Sequence, residues 1–340
     1  MNSRLKLALV FTSCTLASSS IAHHAAQVTY QTDQIIEVEG EITDLIWRNP
    51  HVRFSMNVTD AVGQSSTWNI ESIPVTRLTR VGVSEDLIDV GQRVRIAGFP
   101  SKRSATEAYA INLLLDDGRE VLLDTPVARW GGETLGTGLD LTPGERGADA
   151  SLGIFRVWST DGVFLGLGSM GEDLGFSLTE AALAAQAAWD PLSPDNPFRG
   201  CAPKGMPGIM EQPNPMEFVD QGDEILIRLE EYDTVRVIRM NGTVADDSTP
   251  TLLGHSVGHW EGSALVVETD RIDWEHFNQN GLKQSDDMHV VERFTPSPDG
   301  ARLDYELTIT DPALFTEPET VTKSWIWIPG DEVLPFDCVE

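Results

Sequence analysis

The feature that most constrains this chain is a period of two in its hydrophobic pattern, repeated between turn-forming residues along most of its length. Val52, Phe54, Met56 and Val58 alternate with polar neighbours, as do Val94, Ile96 and Gly98, and later Ile225, Ile227 and Leu229. Successive strand side chains point to opposite faces, so such alternation marks strands with one buried face. Helical spacing is confined to Val75, Leu78 and Val81 and to the alanine-rich run from Ala181 to Trp189. The pattern predicts a mainly β protein.

Residues 23–124 read as one module. Ile36, Val38, Gly40 and Ile42 share one parity, and Leu45 and Trp47 take the other. That phase switch predicts a β-bulge or sharp bend in the first strand. Asn49-Pro50 is a turn, and strands follow at Val52–Val58 and around Trp68 and Ile70. A short helix runs from Pro74 to about Val83, before strands at Val94–Gly98 and Ala110–Leu115. Three strands, a helix and two strands predict an OB-like five-stranded barrel. That fold hosts unrelated functions and assigns none by itself. The net charge of −29, from 53 acidic against 24 basic residues, repels phosphate backbones and anionic membrane surfaces. No basic stripe reverses it, so no nucleic-acid partner is expected.

Residues 125–152 are rich in Gly, Thr and Pro and read as a linker. Residues 153–340 are expected to form an antiparallel lipocalin-like barrel or curved sheet with one short helix at 178–189. Ser177-Leu-Thr-Glu180 has the spacing of a capping box for that helix. Asp195-Asn-Pro197 and Pro203 to Pro215 read as an extended irregular loop carrying Cys201. Asn241-Gly242 and Asp299-Gly300 are expected hairpin turns, and Trp260-Glu261-Gly262 a tight turn.

The first 22 residues have the pattern of a secretory signal peptide. Arg4 and Lys6 form a basic start, a brief apolar run follows, and Ser20-Ile21-Ala22 supplies small residues before a cleavage site. Cys14 does not make a lipoprotein site, because Phe11 stands where Leu is wanted and the apolar run before it is very short. No later run is apolar enough to span a bilayer as a helix, so a mature chain without a transmembrane segment is expected, periplasmic or extracellular. Cleavage leaves Cys201 and Cys338, and an oxidising compartment favours their pairing. Such a loop is worth roughly 4–5 kcal/mol in the chain-entropy picture. Its reduction is expected to weaken the C-terminal module and leave the N-terminal one nearly unchanged.

His23-His24, Ile46-Trp47-Arg48-Asn49-Pro50-His51 and the stretch Val90-Gly91-Gln92-Arg93-Val94-Arg95-Ile96-Ala97-Gly98-Phe99-Pro100 resemble an exported bacterial domain of unknown function. That family begins with paired histidines and carries a Trp-x-Asn-Pro-His segment. Asp195-Asn-Pro197, Gly205-Met206-Pro207, Glu230-Glu231-Tyr232-Asp233, Gly254-His255-Ser256-Val257-Gly258 and Trp260-Glu261-Gly262 are similar to the C-terminal part of uncharacterised exported bacterial proteins. Neither resemblance implies an activity.

Two histidine patterns carry possible chemistry. Cleavage after Ala22 makes His23 the first residue, which offers its α-amine and ring to one metal, with His24 and His51 as further imidazoles. Copper or zinc is the expected ion, against the plainer reading of a solvated terminus and a turn histidine. His255-x-x-x-His259 has half of a zinc motif's spacing, but in an extended chain its rings stand about 13 Å apart. Glu230, Tyr232, Arg236, His255, Glu268 and Glu292 lie on or beside predicted strands. Inside a barrel, Tyr232, Arg236 and His255 would line a ligand cavity, and His255 with Glu230, Glu268 or Glu292 would do acid–base work. Solvent-facing rungs are the plainer reading of the same residues. The expected function is therefore an exported, non-catalytic two-domain protein that binds a small molecule, a metal or an envelope component. The alternative is a periplasmic enzyme with a His/carboxylate site in the C-terminal barrel.

Overall fold

The computed structural model describes residues 29–136, 147–160, 175–190, 193, 196–242 and 249–338. The N-terminal half contains β1 (Ile36–Ile46), β2 (Arg53–Thr59), β3 (Ser65–Glu71), helix α1 (Val75–Arg80), β4 (Arg93–Pro100), β5 (Glu107–Leu114), β6 (Glu120–Leu122) and β7 (Thr134–Leu135). β1 pairs with both β2 and β4, and a parallel β3–β5 pairing closes a five-stranded barrel. The long first strand serves both halves because its register against β2 shifts between Ile42 and Asp44. This is the bulge that the parity switch predicts. A second irregularity falls at Ala97/Gly98, where a Cβ on Gly98 would stand 2.1 Å from the Tyr109 carbonyl oxygen. Only glycine permits that approach of β4 to β5. Ile42, Met56, Ile70, Ile96 and Leu113 fill the barrel, and Leu78 of α1 packs against the same core.

The segment read as a linker begins on this barrel. β7 pairs in parallel with β6. The reason is a buried carboxylate: Glu120 accepts from the backbone N–H groups of Arg129 (2.8 Å) and Trp130 (3.0 Å) and from Asn112 Nδ2 (2.8 Å). Hydrophobic periodicity is blind to such an anchor.

The C-terminal half contains β8 (Val157–Thr160), helix α2 (Glu180–Ala188), β9 (Met216–Asp220), β10 (Glu224–Leu229), β11 (Thr234–Met240), β12 (His255–Glu261), β13 (Ala264–Asp270), β14 (His289–Pro296), β15 (Arg302–Thr310) and β16 (Glu319–Ile326). They form a closed nine-stranded barrel in the order β10-β11-β12-β13-β14-β15-β16-β8-β9. Its neighbours run antiparallel except β11 and β12, which are parallel. Asn241-Gly242 is therefore not a two-residue hairpin. Asn241 takes a positive φ of 53° and its N–H donates to the Gly258 carbonyl (2.8 Å), and the chain continues to residue 254 before β12 starts. A parallel neighbour requires that longer connection. The capping residue of α2 is also displaced from Ser177 to Thr179, whose hydroxyl accepts from the Ala182 N–H (3.1 Å). Ser177 Oγ donates instead to Glu317 (2.9 Å), so a tertiary partner draws it off the helix.

Residues 205–215, expected as part of an irregular loop, are almost entirely buried. They enter the barrel as a plug, with Met206, Ile209 and Met210 in the same core as Trp158, Met216, Phe218, Phe294, Tyr305 and Trp325. Gln284 Nε2 and Lys323 Nζ donate to the plug's carbonyls at Met206 and Gln212, both at 3.0 Å. Buried backbone polar groups require such partners, and β16 supplies Lys323 while the connection between β13 and β14 supplies Gln284.

Cys201 and Cys338 are bonded, with Cα atoms 5.7 Å apart. The C-terminal segment that ends at Cys338 runs along the seam between the two barrels. Towards the first barrel, Arg48 Nη1 donates to Asp337 (2.8 Å), Asn49 Nδ2 donates to the Phe336 carbonyl, and Asn49 forms a bridge with Cys338. Arg80 of α1 donates to Asp331 Oδ1 (3.0 Å), to the Glu332 carbonyl (2.7 Å) and to Glu230 Oε1 (2.8 Å). Towards the second barrel, the Leu334 and Phe336 N–H groups donate to Glu230 (2.9 Å) and Asp233 (3.0 Å), and Ser159 Oγ donates to Asp331.

Candidate functional site

The residues most suited to binding chemistry surround His51, at the end of the Trp47-Arg48-Asn49-Pro50-His51 run that joins β1 to β2. His51 Nδ1 lies 2.7 Å from the Ser72 carbonyl oxygen and 3.3 Å from Glu71 Oε1. A carbonyl only accepts, so Nδ1 carries the proton and the lone pair of the neutral ring is on Nε2. The His51 side chain as a whole is about a quarter exposed. The other oxygen of Glu71 accepts from the Tyr30 hydroxyl at 2.7 Å. Burial, and then the Glu71 charge, push the Tyr30 phenol well above the usual tyrosine range, so it stays a donor. Tyr109 packs its ring against both Tyr30 and His51, with centroids 5.6 and 6.5 Å away, and donates to Asp124 (2.8 Å). One carboxylate at the end of β3 thus holds the entering chain at Tyr30 beside the ring of His51. His23 and His24 lie outside the described residues.

The candidates of the C-terminal barrel do not converge. His255 Nε2 meets the Thr249 carbonyl oxygen (2.8 Å), and His259 meets Glu261 (3.3 Å), so the two ends of the His-x-x-x-His spacing have separate partners along β12. Glu268 is exposed and stands 3.9 Å from His289. Glu230 is fully buried in the seam, bound to Arg80. Tyr232 packs on Phe336, with centroids 5.1 Å apart, and donates to the Gly200 carbonyl (3.3 Å); burial and then Glu231 push its phenol up to about 12.

Arg236 and Glu292 do come together, deep in the barrel. The guanidinium donates through Nη1 to Glu292 Oε1 (2.8 Å), through Nη2 to its other oxygen, and to Ser256 (3.0 Å) and Thr269 (2.7 Å). Tyr305 donates to Glu292 Oε1 (2.8 Å). Burial works to lower the Arg236 pKa, but the Glu292 charge and hydrogen bonds outweigh it and leave it raised. The Tyr305 phenol is driven well above its ordinary value by burial and then by Glu292. The carboxylate of Glu292 and the nitrogens of Arg236 are engaged with one another and with neighbouring hydroxyls. The arrangement is a closed polar core.

Sequence reasoning did not single out Tyr30 or Glu71. Tyr30 precedes the first periodic strand, and Glu71 ends β3 with an ordinary solvent-side parity. Their pairing across 41 positions is a product of barrel closure. Among the described residues no set of three His, Cys, Asp or Glu side chains is placed to hold a metal ion, and no helix is long and apolar enough to cross a membrane.

Over residues 12–109 the chain matches a family of unknown function, DUF6152. The match takes in the His51 segment and ends within β5. No curated protein matches the chain.

Proposed function

We propose that this chain is an exported, non-catalytic binding protein, and that His51 joins His23 and His24 of the processed N-terminus in a copper or zinc site. The observation that carries the reading is the orientation of His51. Metal-bound histidines characteristically donate their second ring N–H to a carbonyl or carboxylate, which fixes the tautomer and raises ligand basicity. His51 has this arrangement, with Ser72 and Glu71 on Nδ1 and Nε2 left to ligate. Tyr30 supports the reading by placement, since the same Glu71 holds it. His24 stands six residues earlier, a tether of at most roughly 20 Å. The net charge of −29 favours a cation near the surface. The Cys201–Cys338 bond supports an oxidising compartment.

The test is calorimetric titration of the mature protein with copper and with zinc, beside His51→Ala and a form carrying one extra residue before His23. The mature protein is expected to bind below micromolar. His51→Ala should lose more than the 10–100-fold that an outer partner is worth. The extended form should also weaken, because its first residue no longer supplies both amine and ring. Equal binding by all three proteins, or none below about micromolar, removes the site.

A further inference from the structure

We infer that the Cys201–Cys338 disulfide is a redox-controlled tether for the seam between the barrels, so that reducing it loosens the N-terminal module as well as the C-terminal one, contrary to the expectation from the sequence. The inference starts from where the bond ends. Cys338 does not lie within the barrel it closes; it follows the segment that separates and joins the two modules. Within eight residues that segment supplies Asp331, the Glu332 carbonyl, the Phe336 carbonyl and Asp337 to Arg80, Asn49 and Arg48 of the first barrel. It binds the second barrel over the same stretch through Ser159, Glu230 and Asp233. The segment leaves β16 at Ile326, and the disulfide pins its far end to Cys201 in the connection before β9; both cysteines are half-buried.

Apart from Phe336, whose carbonyl takes the buried Asn49 bond, the remaining contacts at the segment's outer end are weak. Arg48–Asp337 is an exposed pair, with side chains 50% and 71% accessible, and such pairs contribute little. Phe336 is the main apolar hold, against Tyr232. Freed at Cys338, the last residues regain chain entropy, and the bridge from Cys338 to Asn49 loses its fixed side. The inner contacts at Arg80 are stronger, because Glu230 is buried and bound directly. Loosening therefore begins at Arg48-Asn49 and reaches α1 through Asp331. The covalent step is thiol–disulfide exchange: an external dithiol gives two electrons and two protons, Cys201 and Cys338 become thiols, and the dithiol leaves as its own disulfide.

The experiment uses the full mature chain, oxidised and after dithiothreitol, with both thiols shown free by a thiol-reactive dye. Amide hydrogen exchange is followed over 46–52 and 75–80 in the first barrel, and over 94–97 as an internal reference. Exchange at 46–52 is expected to rise at least tenfold on reduction, with a smaller rise at 75–80 and none at 94–97. A Cys201→Ser/Cys338→Ser chain should behave as the reduced protein does. Unchanged protection at 46–52 with both thiols free overturns the inference. So does global loss of protection in the second barrel, which would make the bond a stability staple and nothing more.

Discussion

At the scale of single residues, this molecule keeps its charges where geometry compensates them. Arg236 and Glu292 are both almost fully buried, and neither is paired by chance of rotamer: two hydroxyls and a phenol complete their hydrogen bonds. A buried pair of this kind is close to neutral against an apolar replacement, yet breaking it strands a charge. Glu292→Leu is therefore expected to cost about 3–5 kcal/mol, and adding Arg236→Met should restore most of the loss. Urea unfolding of the three proteins checks this; a single variant within about 1 kcal/mol of the parent would mean that the guanidinium finds water or another partner. His51 shows the opposite economy. Its Nδ1 is held by the Ser72 carbonyl, and the proposed metal would take the lone pair on Nε2.

At the scale of elements, the barrels were legible and the pieces between their strands were not. The parity switch in β1 announced its bulge, and the helix between the third and fourth strands announced the OB-like order, because both leave a periodic trace. The plug at 205–215, the Glu120 anchor and the parallel β11–β12 pair leave none: each depends on a partner distant in sequence. Of the candidate site, His51 was legible from its motif, whereas Glu71 and Tyr30 emerged only once β3 and the entering chain met. The connections also assemble an aromatic cap. Trp189 at the end of α2, Phe198, and Trp274 and His276 after β13 pack together, with centroids 5.1–6.1 Å apart. Burial lowers the His276 pKa, and the Glu275 carboxylate 3.2 Å away only partly opposes this. Because the folded value is the lower one, the unfolded chain takes up the proton first. The contribution of this group is then full above about 6.5 and is lost as pH falls below that value towards the folded one. His276→Phe should flatten the stability curve as pH falls below about 6.5; an unchanged slope would place the titration elsewhere.

At the scale of the whole molecule, two closed barrels share a seam built from the last described residues, and the Trp47–His51 run belongs to both the seam and the candidate site. Asn49 faces the C-terminal segment while His51, two positions on, faces Glu71 and Ser72. The central claim is that His51 offers Nε2 to a metal alongside the processed N-terminus. Anomalous diffraction from crystals of the mature protein grown with zinc tests it most directly. The account predicts a zinc peak roughly 2.0–2.1 Å from His51 Nε2, with Nδ1 still on the Ser72 carbonyl and nitrogen atoms of His23 or His24 completing the shell. Zinc bound elsewhere, with His51 Nε2 facing only solvent, would contradict it.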